Sequence, residues 1–182
     1  MLESVPSPAP SPASFEQTML PHLDAAYDLA RWLLRHEQDA EDCVQEAYLL
    51  AFKAFARFRG GDGRAWLLTI VRNACYSRLR KSRREEPAVE FDEETHGATG
   101  AADARPDFWS RADVRDALDH ALARLPAEFR EVLVLHELEG LAYKEIAAVA
   151  AIPIGTVMSR LARARARLQA ELRQLLQEES PS

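Results

Sequence analysis

Long apolar runs are missing from this chain, which nowhere reaches the roughly 18 uninterrupted apolar residues that a membrane-spanning helix needs. The N-terminus also lacks the basic patch, apolar stretch and small-residue cleavage site of a secretory signal. Both absences predict a soluble, cytoplasmic protein with no direct insertion into a membrane. Cysteine is scarce: Cys43 and Cys75 stand alone, with no CxxC and no His pair nearby at ligand spacing. They are expected to be ordinary reduced thiols, neither a disulfide nor metal ligands. His22, His36, His96, His120 and His136 are scattered. With no Gly-rich phosphate loop, no placed nucleophile and no useful stretch of strand periodicity, the sequence predicts no metal, no cofactor and no catalytic group.

What is present is helical and charged. Of 182 residues, 47% are apolar, enough for two small cores of about 70 residues each. The net charge of −6 would argue against nucleic acid if it were evenly spread, but it is segregated. From Arg64 to Arg84 stand seven basic residues and no acid. From Glu85 to Ser110 eight acids face one Arg, and from Thr156 to Arg173 five Arg face only Glu171. Two candidate phosphate-contacting segments thus flank an acidic stretch.

Pro6, Pro8, Pro10 and Pro12 mark residues 1–13 as a disordered leader. Ser14 and Gln17 fit a capping box, and Leu23, Tyr27, Ala30 and Leu34 then share one helical face. A second helix starts near Asp39, with Val44, Tyr48, Ala51, Phe55 and Phe58 on its apolar stripe, and is broken by Gly60, Gly61 and Gly63 around Asp62. A third runs from Arg64 past Arg80, with Leu67, Ile70, Val71 and Ala74 on its apolar side. These helices make a first domain, 14–84, and the aperiodic acidic segment 85–110 reads as a flexible linker. In a second domain, 111–176, one helix stops at Leu125-Pro126 and another ends at Gly140. A short helix, Tyr143 to Ala150, a turn through Ile152-Pro153 and a long helix from Ile154 to about Leu176 have helix-turn-helix spacing. Residues 177–182 form a tail. The expected fold is all-α, with two small helical domains joined by a flexible acidic linker.

Three constellations carry chemistry. The last helix bears Thr156, Ser159, Arg160, Arg163 and Arg167 on its polar side, residues able to reach bases or phosphates in a major groove. The basic third helix mixes Arg64, Arg72 and Arg80 with Trp66, Asn73 and Tyr76, side chains that can track a backbone and hold unstacked bases. Taken singly, Trp66 also fits core packing and Asn73 a helix–helix hydrogen bond. The acidic stripe Asp39, Glu41, Asp42, Gln45 and Glu46 fits either a solvated helix start or a partner-binding face.

In combination these segments resemble the extracytoplasmic function group of bacterial RNA polymerase sigma factors. DAEDCVQEAYLLAFKAFARF (39–58) is similar to conserved region 2.2, RAWLLTIVRNACYSRLRKSRR (64–84) to regions 2.3 and 2.4, and 125–168 to region 4. The resemblance implies promoter-specific initiation, with partners in core polymerase, promoter DNA and an anti-sigma factor. Asp42, Gln45, Glu46 and Phe52 would contact the clamp helices of the largest polymerase subunit, and the second domain the flap of the second largest. Arg64, Trp66, Arg72, Asn73, Tyr76 and Arg80 would meet the minus-ten element, with the glycine loop beside an extruded base. Thr156, Ser159, Arg160, Arg163 and Arg167 would meet the minus-thirty-five element. Met158 stands where the family often has Lys or Arg, Ala162 where it has a large residue or His, and Ala142 where it caps the short helix with Ser or Thr. The rival readings are a regulator that binds DNA without polymerase, which the Asp42-Gln45-Glu46 face disfavours, and a hydrolase, which the missing nucleophile disfavours.

Overall fold

The computed structural model describes residues 12–85 and 111–178. The first unit contains α1 (Pro12–Met19), a 3-10 turn at Leu20–His22, α2 (Leu23–Leu34), α3 (Glu37–Ala54), a second 3-10 turn at Phe55–Arg57 and α4 (Gly63–Glu85). The second contains α5 (Arg111–Ala123), α6 (Ala127–Leu133), a π turn at Val134–Leu138, α7 (Tyr143–Ala150) and α8 (Ile154–Glu178). Every element among the described residues is helical. None of these helices is by itself long and apolar enough to cross a membrane. The segment expected to be an acidic linker lies outside the described residues, Glu85 excepted.

Several boundaries differ from those expected. Pro12 opens α1, so the helix begins inside the stretch assigned to the leader; proline's fixed φ suits a first helical turn. Ser14 consequently lies within the helix instead of at its cap, and its carbonyl accepts the Thr18 hydroxyl at 2.7 Å. Helix α8 continues to Glu178, past the expected end at Leu176.

In the first unit, α3 lays Ala40, Cys43, Val44, Ala47 and Ala51 against α2 and α4. These small side chains let the helices approach closely, while Leu29, Leu33, Leu67, Leu68 and Val71 fill the centre. Each such buried aliphatic contributes about 1.5–3 kcal/mol. Asp62 caps α4, its carboxylate accepting the Ala65 amide at 3.1 Å. A Cβ at Gly63 would meet Thr18 at 3.3 Å and Met19 at 3.6 Å, so glycine lets the start of α4 pack beneath α1.

In the second unit the turn between α7 and α8 is made by Ala151, in left-handed conformation (φ 54°), and Pro153, so that the two helices meet at 100°. Ala142 has no side-chain acceptor with which to cap α7, but half of a capping box survives, as the Glu145 carboxylate accepts the Ala142 amide at 2.6 Å. In the π turn, the Glu139 amide donates to the Val134 carbonyl, five residues back, at 3.0 Å. The units pack face to face, α6 on α2 and α7 on α4, and their buried side chains join in one cluster.

Candidate nucleic-acid and partner interfaces

The outward face of α3 is the side opposite its alanines, and it exposes Asp42, Gln45, Glu46 and Phe52 together. Arg78 of α4 lies alongside, 3.3 Å from Asp39 and 4.0 Å from both Asp42 and Glu46. These are exposed or half-exposed pairs, worth at most about 1 kcal/mol each in water. Phe52, 49% exposed, meets Phe15 edge to face at 5.2 Å. With Tyr48 and Leu49 it lines a shallow apolar groove running beside the acids. Leu49 is 63% exposed and escaped the sequence reading. It falls off the apolar stripe, and an apolar residue on a polar face next to Gln45 is the signal that could have found it.

Helix α4 divides its candidate residues between two environments. Asn73 and Arg80 are exposed, as are Gly60 and Gly61, whose φ values of 83° and 94° suit glycine. Trp66 is half-buried against Phe58 (ring centroids 5.1 Å apart) and Phe55 (6.5 Å), which is the core-packing reading of that residue. Arg64, Arg72 and Tyr76 face the second unit. Arg64 pairs with Glu139, and Arg72 with Glu131, whose other carboxylate oxygen accepts the Tyr76 hydroxyl at 3.1 Å. Arg72 also lies over the Tyr76 ring, 4.5 Å from its centroid.

This seam between the units was not foreseen from the sequence. Glu131 is fully buried, so burial raises its carboxyl above the usual range, while Arg72 and Tyr76 pull the other way. Burial and the Glu131 charge also raise the Tyr76 phenol. Arg130 beside it is buried and donates to the carbonyls of Ala123 (3.0 Å), Leu125 (2.8 Å) and, across the seam, Leu33 (3.4 Å). Burial lowers its guanidinium to about 10. Arg31 and Asp119 pair at 3.2 Å along the same boundary.

On α8, Val157, Leu161 and Ala164 are buried, which turns Ser159 and Arg163 fully outward and leaves Thr156 and Arg160 partly exposed. The Ser159 hydroxyl donates to the Thr156 carbonyl at 3.1 Å, and Arg165 pairs with Glu137 at 2.7 Å. Arg167 is exposed but lies over the Phe129 ring, 5.2 Å from its centroid, and so helps hold its own unit together. Thr156 to Arg163 therefore form an outward, positively charged first half of a long helix set at a steep angle to the helix before it. That is the shape a major groove admits.

Cys43 and Cys75 are both buried, with their sulfurs 3.3 Å apart. The sequence treats them as unrelated; the packing of α3 on α4 makes them neighbours. No group of three or more His, Cys, Asp or Glu residues that could hold a metal ion is present among the described residues.

Residues 19–85 match the Sigma-70 region 2 family model and residues 115–168 the Sigma-70 region 4 model. The chain is 35% identical to the RNA polymerase sigma-H factor of Pseudomonas aeruginosa, over 78% of this chain and 77% of that protein. It is 34% identical to the ECF RNA polymerase sigma factor SigM of Mycobacterium tuberculosis, over 85% of this chain and 75% of that protein. A third relative, the ECF RNA polymerase sigma factor SigE of Mycolicibacterium smegmatis, is 33% identical over 86% of this chain, which spans 60% of that protein's length. Among solved structures, the sigma factor RpoE bound to the anti-sigma factor NepR from Bartonella quintana superposes with a TM-score of 0.70 at 34% identity, covering 88% of this chain and 97% of that one. CnrH in complex with the cytosolic domain of CnrY gives 0.60 at 28% identity, covering 93% and 92%.

Proposed function

Because the chain belongs to the extracytoplasmic function group of bacterial RNA polymerase sigma factors, we propose that it directs promoter-specific initiation through three faces set on rigid helices. The α3 face, Asp42, Gln45, Glu46 and Phe52, docks on the clamp helices of the largest polymerase subunit, and Leu49 and Phe15 extend its apolar part. Along α4, Asn73 and Arg80 with Arg64, Arg72 and Tyr76 engage the unpaired minus-ten strand, while Trp66 braces the glycine loop from within. On α8, Thr156, Ser159, Arg160 and Arg163 read the minus-thirty-five groove and Arg167 contributes charge, with the second unit seated on the flap of the second-largest subunit. The protein itself catalyses nothing; bond formation belongs to the polymerase.

The observation that carries this reading is the outward cluster of Asp42, Gln45, Glu46 and Phe52 on the helix packed directly against the one bearing Arg72, Asn73 and Tyr76. A regulator acting alone has no use for such a face. Glu131 and Glu139 hold Arg72, Tyr76 and Arg64, so these three can meet DNA only after the seam parts. Core polymerase, binding each unit separately, supplies the free energy for that separation. An anti-sigma factor would act in the opposite sense, as NepR does in binding the sigma factor RpoE. The test is reconstitution with core polymerase on genomic DNA, followed by sequencing of transcript 5′ ends. Start sites sharing minus-ten and minus-thirty-five elements support the reading, and tight sequence-specific duplex binding by the free protein would overturn it.

A further inference from the structure

The sulfurs of Cys43 and Cys75 face each other at 3.3 Å between α3 and α4, buried on all sides. A disulfide needs a separation of about 2.05 Å, so side-chain rotation and a small approach of two helices already in contact would close the gap. We infer that Cys43 and Cys75 form a peroxide-oxidisable dithiol whose disulfide ties α3 to α4 within the native fold. The chemistry is asymmetric. The Cys75 thiol donates to the Cys43 sulfur, and the Arg78 guanidinium lies near both; these effects lower the Cys43 thiol while hydrogen bonding and burial raise that of Cys75.

Cys43 is therefore the attacking group. Its thiolate displaces hydroxide from hydrogen peroxide, breaking the O–O bond and giving a sulfenic acid, while the thiolate's former proton turns the hydroxide into water. The Cys75 sulfur then attacks the sulfenic sulfur. The S–S bond forms, the S–O bond breaks, and the hydroxyl leaves as water with the Cys75 proton. Two thiols and one peroxide give one disulfide and two waters. Peroxide is small enough to reach the pair through local opening of helices that carry only small side chains at this contact. The inference stands on the thiol geometry and does not depend on which partners α3 and α4 bind.

The experiment treats the reduced full-length protein with hydrogen peroxide, then measures its intact mass and maps it with trypsin without reductant. The expected product is lighter by two hydrogen atoms, with peptide 36–53 joined to peptide 73–78, and it melts roughly 10 °C higher than the dithiol because the cross-link restricts the unfolded chain. Cys75→Ala should leave a sulfenic acid on Cys43 that dimedone traps, and Cys43→Ala should leave Cys75 unreacted, with circular dichroism confirming that both variants fold. An unchanged mass, oxygen addition without the cross-link, or a disulfide between two molecules would overturn the inference. So would a lower melting temperature, which would mean that the bond does not fit the native helix pair.

Discussion

Arg72 and Glu131 form an ion pair across the boundary between the two helical units, with the Glu131 side chain entirely removed from solvent. Breaking one partner of such a pair strands the other and costs about 3–5 kcal/mol. Here part of that cost falls on the contact between units. Glu131→Gln keeps the shape but loses the charge and one acceptor, so the seam should loosen and free Arg72 and Tyr76. Hydrogen exchange in α6 and α7 should speed up, and binding of single-stranded minus-ten DNA by the free protein should strengthen several-fold. Unchanged exchange with unchanged binding would show that Glu131 does not hold the units together.

Asp42 and Glu46 should behave in the opposite way. Both are exposed and stand 4.0 Å from Arg78, so reversing them to Lys should change stability by no more than about 1 kcal/mol. The same double variant should fail to co-purify with core polymerase. Retention of the complex would remove the docking role from this face.

Asn73 and Arg163 are both exposed and are set to act at different steps. Arg163→Ala should weaken closed-complex binding by about 1–3 kcal/mol, partly in proportion to the minus-thirty-five match. Asn73 can address only a base that has left its stack. Asn73→Ala should therefore spare duplex binding and reduce permanganate reactivity of thymines in the melted region. A pre-melted template should rescue Asn73→Ala and not Arg163→Ala; equal responses would erase the distinction.

The Tyr48 hydroxyl donates to the Met19 carbonyl at 2.8 Å, and burial pushes its phenol up to about 12. A folded pKa above the unfolded value of about 10 means that the tyrosine's contribution is complete below pH 10 and is lost as pH rises through 12. Tyr48→Phe should cost about 1 kcal/mol near neutrality, from the lost hydrogen bond. Its stability should then decline less steeply between pH 10 and 12 than that of the unaltered protein. Parallel denaturation curves across that window would contradict the assignment.

Much of this architecture could be read from periodicity. The apolar stripe Val44, Tyr48 and Ala51 placed α3 with its acids outward, and Ile152-Pro153 marked the turn before α8. The exposed residues of each face were legible for the same reason, since helical spacing alone decides which side chains share a surface. Glu131 and Glu139 were not, because one sits inside the apolar run Phe129 to Leu135 and the other beside Gly140, and pattern gives no hint that either meets an arginine some 60 residues or more away. The roles of Arg64, Arg72 and Tyr76 were accordingly assigned without the acids that occupy them. The Cys43 and Cys75 pairing was hidden likewise, because which helices pack together, and at what height, is settled by the whole core.

The π turn at Val134–Leu138 has a consequence for how much change in length this fold tolerates. One residue more than an α-helical turn needs rotates everything beyond it by about 100° around the helix axis. Glu139, which follows immediately, meets Arg64 from that rotated position. Deleting a single residue within Val134–Leu138 would restore a regular α-helix and leave every charge in place, yet swing Glu139 away from its arginine. Closure between the two halves is thus encoded in the counting of residues as well as in their chemistry.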